Sequence, residues 1–212
     1  MKRCSVYLVI LLVMGMLCAG PVAAAQDLVI GVPTSLGFLE GKESLNAVNL
    51  AVDEINKAGG VKVGAKSLPF KVVSIDIRDA APGVPVPEAL LGIEKLLLEK
   101  KPTALVVGPF RSEALMASLD LIAKHKVPLL GNIAMTPKTE GKIAKEPKYK
   151  YVFRTCLNAK YFVGYLVGTM AFLNKEFGFK KVYVMNQDVA WARITAKIVS
   201  GILAEKMKME VL

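Results

Sequence analysis

The sequence predicts an α/β fold built on parallel sheet, and three observations carry that prediction. Short apolar runs such as Leu28–Val32 and Ala104–Val107 have the unbroken hydrophobicity of strands buried on both faces. Between such runs lie segments with apolar residues at helical spacing. The two kinds of segment alternate from Leu28 to Pro137, which implies right-handed crossovers and a parallel sheet covered by helices on both faces.

Taken in order, Leu28–Val32 is the first strand and Pro33–Gly41 its loop. Leu45, Val48, Val52 and Ile55 mark an amphipathic helix that stops at Ala58-Gly59-Gly60, where glycine accepts the left-handed turn that ends a helix. Val61–Pro69 is a turn, and Phe70–Arg78 a second strand running into the acids Asp76 and Asp79. After the prolines of Pro82–Pro87, Glu88–Lys101 is a helix with Leu90, Leu91, Ile93, Leu97 and Leu98. Ala104–Val107 is the third strand, broken at Gly108-Pro109. Ser112 and Glu113 then open a helix carrying Leu115, Leu119 and Ile122 and ending near His125. Val127–Leu130 is the fourth strand, followed by the loop Gly131–Pro137.

Lys138–Lys150 interrupts the rhythm with Gly, Pro and charge and reads as a loop and hinge region. It would separate a first lobe at 26–137 from a second at 151–212. In the second, Tyr151–Arg154 is extended and Asn158–Phe177 is a long helix. Gly164 and Gly168 lie one turn apart on that helix, open to close approach by another backbone. Phe179–Met185 is a strand, Trp191–Lys206 a helix, and Met209–Leu212 the start of a further strand. So small a parallel sheet leaves bare edges, so the second lobe is expected to be incomplete and the sequence the front part of something longer.

Composition narrows the class of function. The 212 residues are 53% hydrophobic and 22% charged, a globular balance, with a formal net charge of +10. The lysines are scattered. The one dense run, five lysines within Lys138–Lys150, also holds Glu140 and Glu146, which fits a solvated loop and not a nucleic-acid surface. Lys2-Arg3, the apolar Val6–Leu17 and the small residues Ala23-Ala24-Ala25 form the three parts of a cleaved export signal over residues 1–25, and the periplasm is the expected destination. Cys4 and Cys18 leave with that segment. Cys156 is then alone, without an intramolecular disulfide partner, and reads as a small buried hydrophobe. His125, the single histidine, falls at a helix C-terminus, where a cation is favoured. One His and one remaining Cys supply neither a metal cluster nor a triad. The first strand–helix turn, Gly31–Gly37, lacks the G-x-G-x-x-G of a dinucleotide site and there is no Walker loop, so neither an enzyme nor a cofactor is expected.

The turn Gly108–Glu113 is the candidate ligand element. A strand that stops and feeds a helix presents free N–H groups and a hydroxyl at the carboxyl edge of the sheet, where ligands of open α/β sheets bind.

Several stretches together resemble the type I periplasmic substrate-binding proteins of branched-chain amino acid ABC importers, the leucine/isoleucine/valine-binding family. They are Ala51–Val61 (AVDEINKAGGV), Val107-Gly108-Pro109 with Ser112, Val127–Leu130, Tyr151–Thr155 (YVFRT), and Lys181–Val184 leading to Asp188–Trp191, in the family's order and spacing. The resemblance implies two lobes, each a parallel sheet flanked by helices, that close on a small ligand such as an amino acid. It implies delivery to ABC permease subunits at the membrane and no catalysis. It also implies that Ser112, with Phe110 and Arg111 in the same turn, donates to a ligand carboxylate; the residues alone fit an N-cap for Ser112 equally. Ile133 and Met135 stand where the family usually has small or hydroxyl residues, with Ala134 between them. Ile133 would then serve through its backbone, and Thr136 would supply the missing hydroxyl. Trp191 takes the place of an aromatic that lies against the ligand, although as a lone Trp it also suits a core. Phe38 and Glu40 belong to a loop that often brings an aromatic near the ligand. An extracytoplasmic sensor of the same fold, binding amides, aromatic acids or other small metabolites, is the alternative use.

Overall fold

The structure is a computed structural model that describes residues 27–212. The expected export signal at 1–25 lies outside the described residues. Five parallel strands form the main sheet in the order β4-β1-β5-β6-β7: β1 (Leu28–Thr34), β4 (Phe70–Asp76), β5 (Ala104–Val107), β6 (Leu129–Gly131) and β7 (Val152–Arg154). Helices α1 (Leu39–Lys57), α2 (Val86–Lys100) and α3 (Ser112–His125) make the crossovers. A β2–β3 hairpin (Val61–Val63, Lys66–Leu68) fills the segment expected as a turn. Strand order reverses beside β1, which makes the carboxyl edge of β1 and β5 a topological switch point.

The core holds part of the expected apolar sets, while Ile55, Leu91 and Leu98 from them are exposed. Ile93 and Leu97 of α2, Leu119 and Ile122 of α3, and Leu105 and Leu129 of the sheet are all buried. The last turn of α1 is fastened to β4 by a side-chain amide. Asn56 donates to the Phe70 carbonyl and accepts from its N–H, both at 2.8 Å, so one residue satisfies both backbone groups at the strand's start.

Lys138–Lys150 and Val152–Arg154 also differ from expectation. Lys138–Lys150 is not simply a loop: it contains helix α4 (Lys138–Lys145) and a 3₁₀ turn (Pro147–Tyr149). Tyr149 anchors the turn, fully buried, with its hydroxyl donating to Asp120 at 2.7 Å and Lys142 and Lys148 over its ring. Val152–Arg154, expected beyond the hinge, pairs with β6 in parallel register and is the fifth strand of the first sheet. An extended run shows its period but not its partner.

The remaining elements are α5 (Ala159–Phe177), β8 (Lys181–Val182), α6 (Ala190–Glu205) and β9 (Glu210–Val211). Asn158 caps α5 by accepting from the Lys160 N–H at 3.1 Å. Helices α5 and α6 pack around a second small core of Val199, Leu203 and Met209. The strand expected over Phe179–Met185 is paired only at Lys181 and Val182, opposite Glu210 and Val211, and Tyr183 and Met185 are exposed. No atom of another element approaches Gly164 or Gly168, so the expected close backbone contact there is not formed among the described residues. No helix among the described residues is long and apolar enough to cross a membrane.

Candidate functional site

The switch point is organised by a buried carboxylate. Asp79, after β4, is fully buried. It accepts from the Ser35 hydroxyl at 2.7 Å and from the Arg111 N–H at 2.8 Å, and Ser35 Oγ in turn accepts from the Ala80 N–H at 2.7 Å. The turns that follow β1, β4 and β5 are thus tied to one side chain. Burial pushes the Asp79 carboxyl up from its ordinary value, and the hydrogen bonds from Ser35 and Arg111 oppose that rise only in part. Periodicity showed Asp79 only as an acid at a strand end.

The turn after β5 is strained. Val107 has φ of +74° and is followed by Gly108 at +77°. The Gly108 N–H donates to the Val106 carbonyl at 3.0 Å, which closes a γ-turn of the high-energy hand around a β-branched residue. The Asn132 N–H, donating to the Val107 carbonyl at 3.1 Å, holds it from β6. Strain of this kind persists where neighbours over-determine the conformation, commonly beside a ligand site. Here it turns the chain sharply before Phe110.

A cleft of about 390 Å³ opens above this edge, lined by Glu40, Ser44, Phe110, Asn132, Ile133, Met135 and Trp191. It brings together Phe110, Ile133 and Trp191 of the expected residues, with Glu40 and Met135 beside them. Trp191 is both packed and available. Its ring meets Phe162 edge-on at 6.3 Å, and it also borders the cleft in the first turn of α6. Glu113 joins the two sides, because its carboxylate accepts from the Ala190 N–H at the start of α6 at 3.1 Å. That carboxylate sits at the positive ends of α3 and α6 together.

Ser112 is not the N-cap. Arg111 holds that position, and Ser112 is the first residue of α3, 3% exposed, with a hydroxyl that meets no partner. A buried hydroxyl without a partner costs about 1–3 kcal/mol. One oxygen of Glu113 is in the same condition.

Four expected residues act elsewhere. The Arg111 guanidinium points back to the Val84 carbonyl, donating at 2.7 Å, so its side chain fastens the loop before α2 and not a ligand. The Thr136 hydroxyl accepts from the Lys138 N–H at 3.3 Å, at the start of α4, and Thr136 is not part of the cleft lining. Phe38 is the half-buried N-cap of α1. Ala134 faces a larger cavity, about 600 Å³, beside the edge strand β7. That cavity also borders Cys156, which is half-buried there. Size favours the larger cavity, but the smaller one lies at the switch point, between the turns after β1, β5 and β6, and that position makes it the candidate site.

Residues 31–207 match the family model described as periplasmic binding protein. No curated protein matches the sequence. Among solved structures, LivJ from Streptococcus pneumoniae in complex with isoleucine superposes with a TM-score of 0.64 at 24% identity, covering 88% of this chain and 48% of that one. The leucine binding protein LivK from Thermotoga maritima gives 0.64 at 18% identity, covering 87% and 47%. A solute binding protein of an ABC transporter from Rhodopseudomonas palustris in complex with 3,4-dihydroxybenzoic acid gives 0.63 at 20% identity, covering 88% and 46%. The chain spans about half the length of the solved structures it matches. With the family model matching most of the residues and the switch-point cleft in place, the chain belongs to the periplasmic binding proteins.

Proposed function

We propose that the chain is an extracytoplasmic solute-binding protein, exported by its first 25 residues. In this reading the cleft receives an amino acid with an apolar side chain for delivery to an ABC permease. The supporting observation is the polarity of the cleft. Phe110, Ile133, Met135 and Trp191 offer an apolar slot, and Glu40 is the one charged residue of the lining. The α3 N-terminus with the unpartnered Ser112 hydroxyl lies just beyond Phe110. A zwitterion satisfies both polar ends, its ammonium toward Glu40 and its carboxylate toward α3. An acid without an ammonium would leave Glu40 as like charge, which weighs against the sensor of aromatic acids. The matching family model is described as a periplasmic binding protein, and the solved structures the chain resembles are described as binding proteins.

Trp191, the only tryptophan in the sequence, reports the test. L-leucine, L-isoleucine or L-phenylalanine is expected to change its emission saturably, with matching heat in calorimetry, and 3,4-dihydroxybenzoate to leave both unchanged. Silence across the amino-acid panel rejects the reading. Ser112→Ala carries opposite signs in two measurements. It relieves an unmet hydroxyl, so the free protein gains about 1 kcal/mol in urea unfolding, while the lost donor weakens amino-acid binding roughly tenfold.

A further inference from the structure

We propose that Arg154 is the positioning residue of the cleft, holding the Ile133–Thr136 loop from behind in the conformation that a ligand meets. This rests on the cleft being the ligand site. Arg154 ends β7, and its side chain is 11% exposed. The guanidinium donates to the carbonyls of Ala134 and Thr136, the latter at 2.7 Å, and to both oxygens of Glu140, at 2.6 and 3.3 Å. Asn158 donates to the same carboxylate at 3.1 Å. Between the two held carbonyls, that of Met135 accepts from the Ala159 N–H at 2.7 Å.

Three successive carbonyls are therefore committed to β7 and the start of α5. A trans peptide sets its N–H opposite its C=O. The N–H groups of Met135 and Thr136 accordingly point away from these anchors, while the peptide that follows ends in Pro137 and has no N–H. Ile133 and Met135 line the cleft from this loop. The guanidinium makes four of these bonds at once, and a lysine ammonium, with three donors on one nitrogen, cannot reproduce them. Glu140 completes the arrangement: burial pushes its carboxyl up, but the bonds from Arg154 and Asn158 outweigh that and leave it below its ordinary value.

Amide hydrogen exchange tests the proposal without a ligand. The Ala159 N–H closes on the loop and the Asn132 N–H fastens the loop's first end to the Val107 carbonyl, whereas those of Leu105 and Leu129 lie within the sheet. In Arg154→Lys, exchange at Asn132 and Ala159 is expected to accelerate about tenfold or more, with Leu105 and Leu129 changed less than about twofold. Glu140→Gln, which leaves the carbonyl contacts in place, is expected to have a small effect at all four. Uniform acceleration, no acceleration, or loss of the native circular dichroism spectrum in Arg154→Lys overturns the proposal, because the residue would then support the fold or nothing. Equal effects of the two variants overturn it as well, since the carboxylate would then hold the loop. L-leucine titration of the unaltered chain is a separate arm. Its failure counts against the amino-acid reading, and the exchange pattern still decides the role of Arg154.

Discussion

Asp79→Ala is expected to lower the free energy of unfolding by about 3 kcal/mol at pH 7, measured by urea denaturation, because it strands two buried donors at once. The Ser35 hydroxyl and the Arg111 N–H both end on this carboxylate, and Asp79 is fully buried. Water cannot take over either bond without entering the junction of three turns. Asp79→Asn is expected to cost less, because its carbonyl oxygen still accepts one of the two donors. The pH dependence separates the charge from the hydrogen bonds. Burial raises the carboxyl above its ordinary value near 3.8, so between that value and its folded value the native protein holds a proton that the unfolded chain has released. The contribution of Asp79 is complete below the unfolded value and falls as pH rises through the folded one. Asp79→Asn should therefore cost most in acid and progressively less toward neutrality. A difference that is flat over this window, or one that grows with pH, contradicts the assignment.

What was legible in the sequence followed from periodicity. The helices over 86–100, 112–125, 159–177 and 190–205 and the strands at 28–34, 70–76 and 104–107 carry their pattern in their own residues, but the buried faces are legible only in part: Ile93, Leu97, Leu119, Ile122 and Leu203 are buried, whereas Leu91, Leu98, Ile194 and Ile198 of the same apolar sets are exposed. Illegible features depend on which element meets which. Val152–Arg154 is a three-residue run, and nothing local distinguishes the edge of the first sheet from the start of a second. α4 is short and lysine-rich, with only Ile143 to mark an inward side, so composition presented it as a loop. Val107 carries a positive φ that its own β-branched side chain disfavours, a conformation imposed by the neighbouring turn and the Asn132 contact. The site divides in the same way. Phe110, Ile133 and Trp191, expected from the resemblance, all line the cleft. Arg111 and Thr136, expected at the ligand from the resemblance, each hydrogen-bond a backbone group of this chain, and neither lines the cleft. Asp79 was overlooked because an acid at the end of a strand is ordinarily solvated, and only the meeting of three turns buries it.

Gly41→Ala is expected to be at least as damaging as the loss of Asp79, and through the same residue. Gly41 lies in the first turn of α1, and a Cβ there would stand 2.0 Å from the carbonyl oxygen of Ser35. That oxygen belongs to the backbone and already accepts from the Phe38 N–H at 3.2 Å, so no side-chain rotation relieves the overlap. Either α1 moves off the sheet edge or the turn after β1 moves into the Asp79 network. Overpacking against backbone falls at the upper end of its usual cost, about 3 kcal/mol. Both displacements reach the cleft, because Glu40 and Ser44 stand on that same stretch of α1. Urea denaturation should show the loss, and amino-acid titration should show weaker binding wherever the unaltered chain binds. Combination with Asp79→Asn distinguishes the two displacements. If the turn moves, Ser35 has already left the carboxylate, and the double variant costs less than the sum of the singles by more than about 0.5 kcal/mol. If the helix moves and the turn stays, the costs add. An alanine variant that unfolds at the same urea concentration as the unaltered protein would show that α1 is not seated against Ser35 at all.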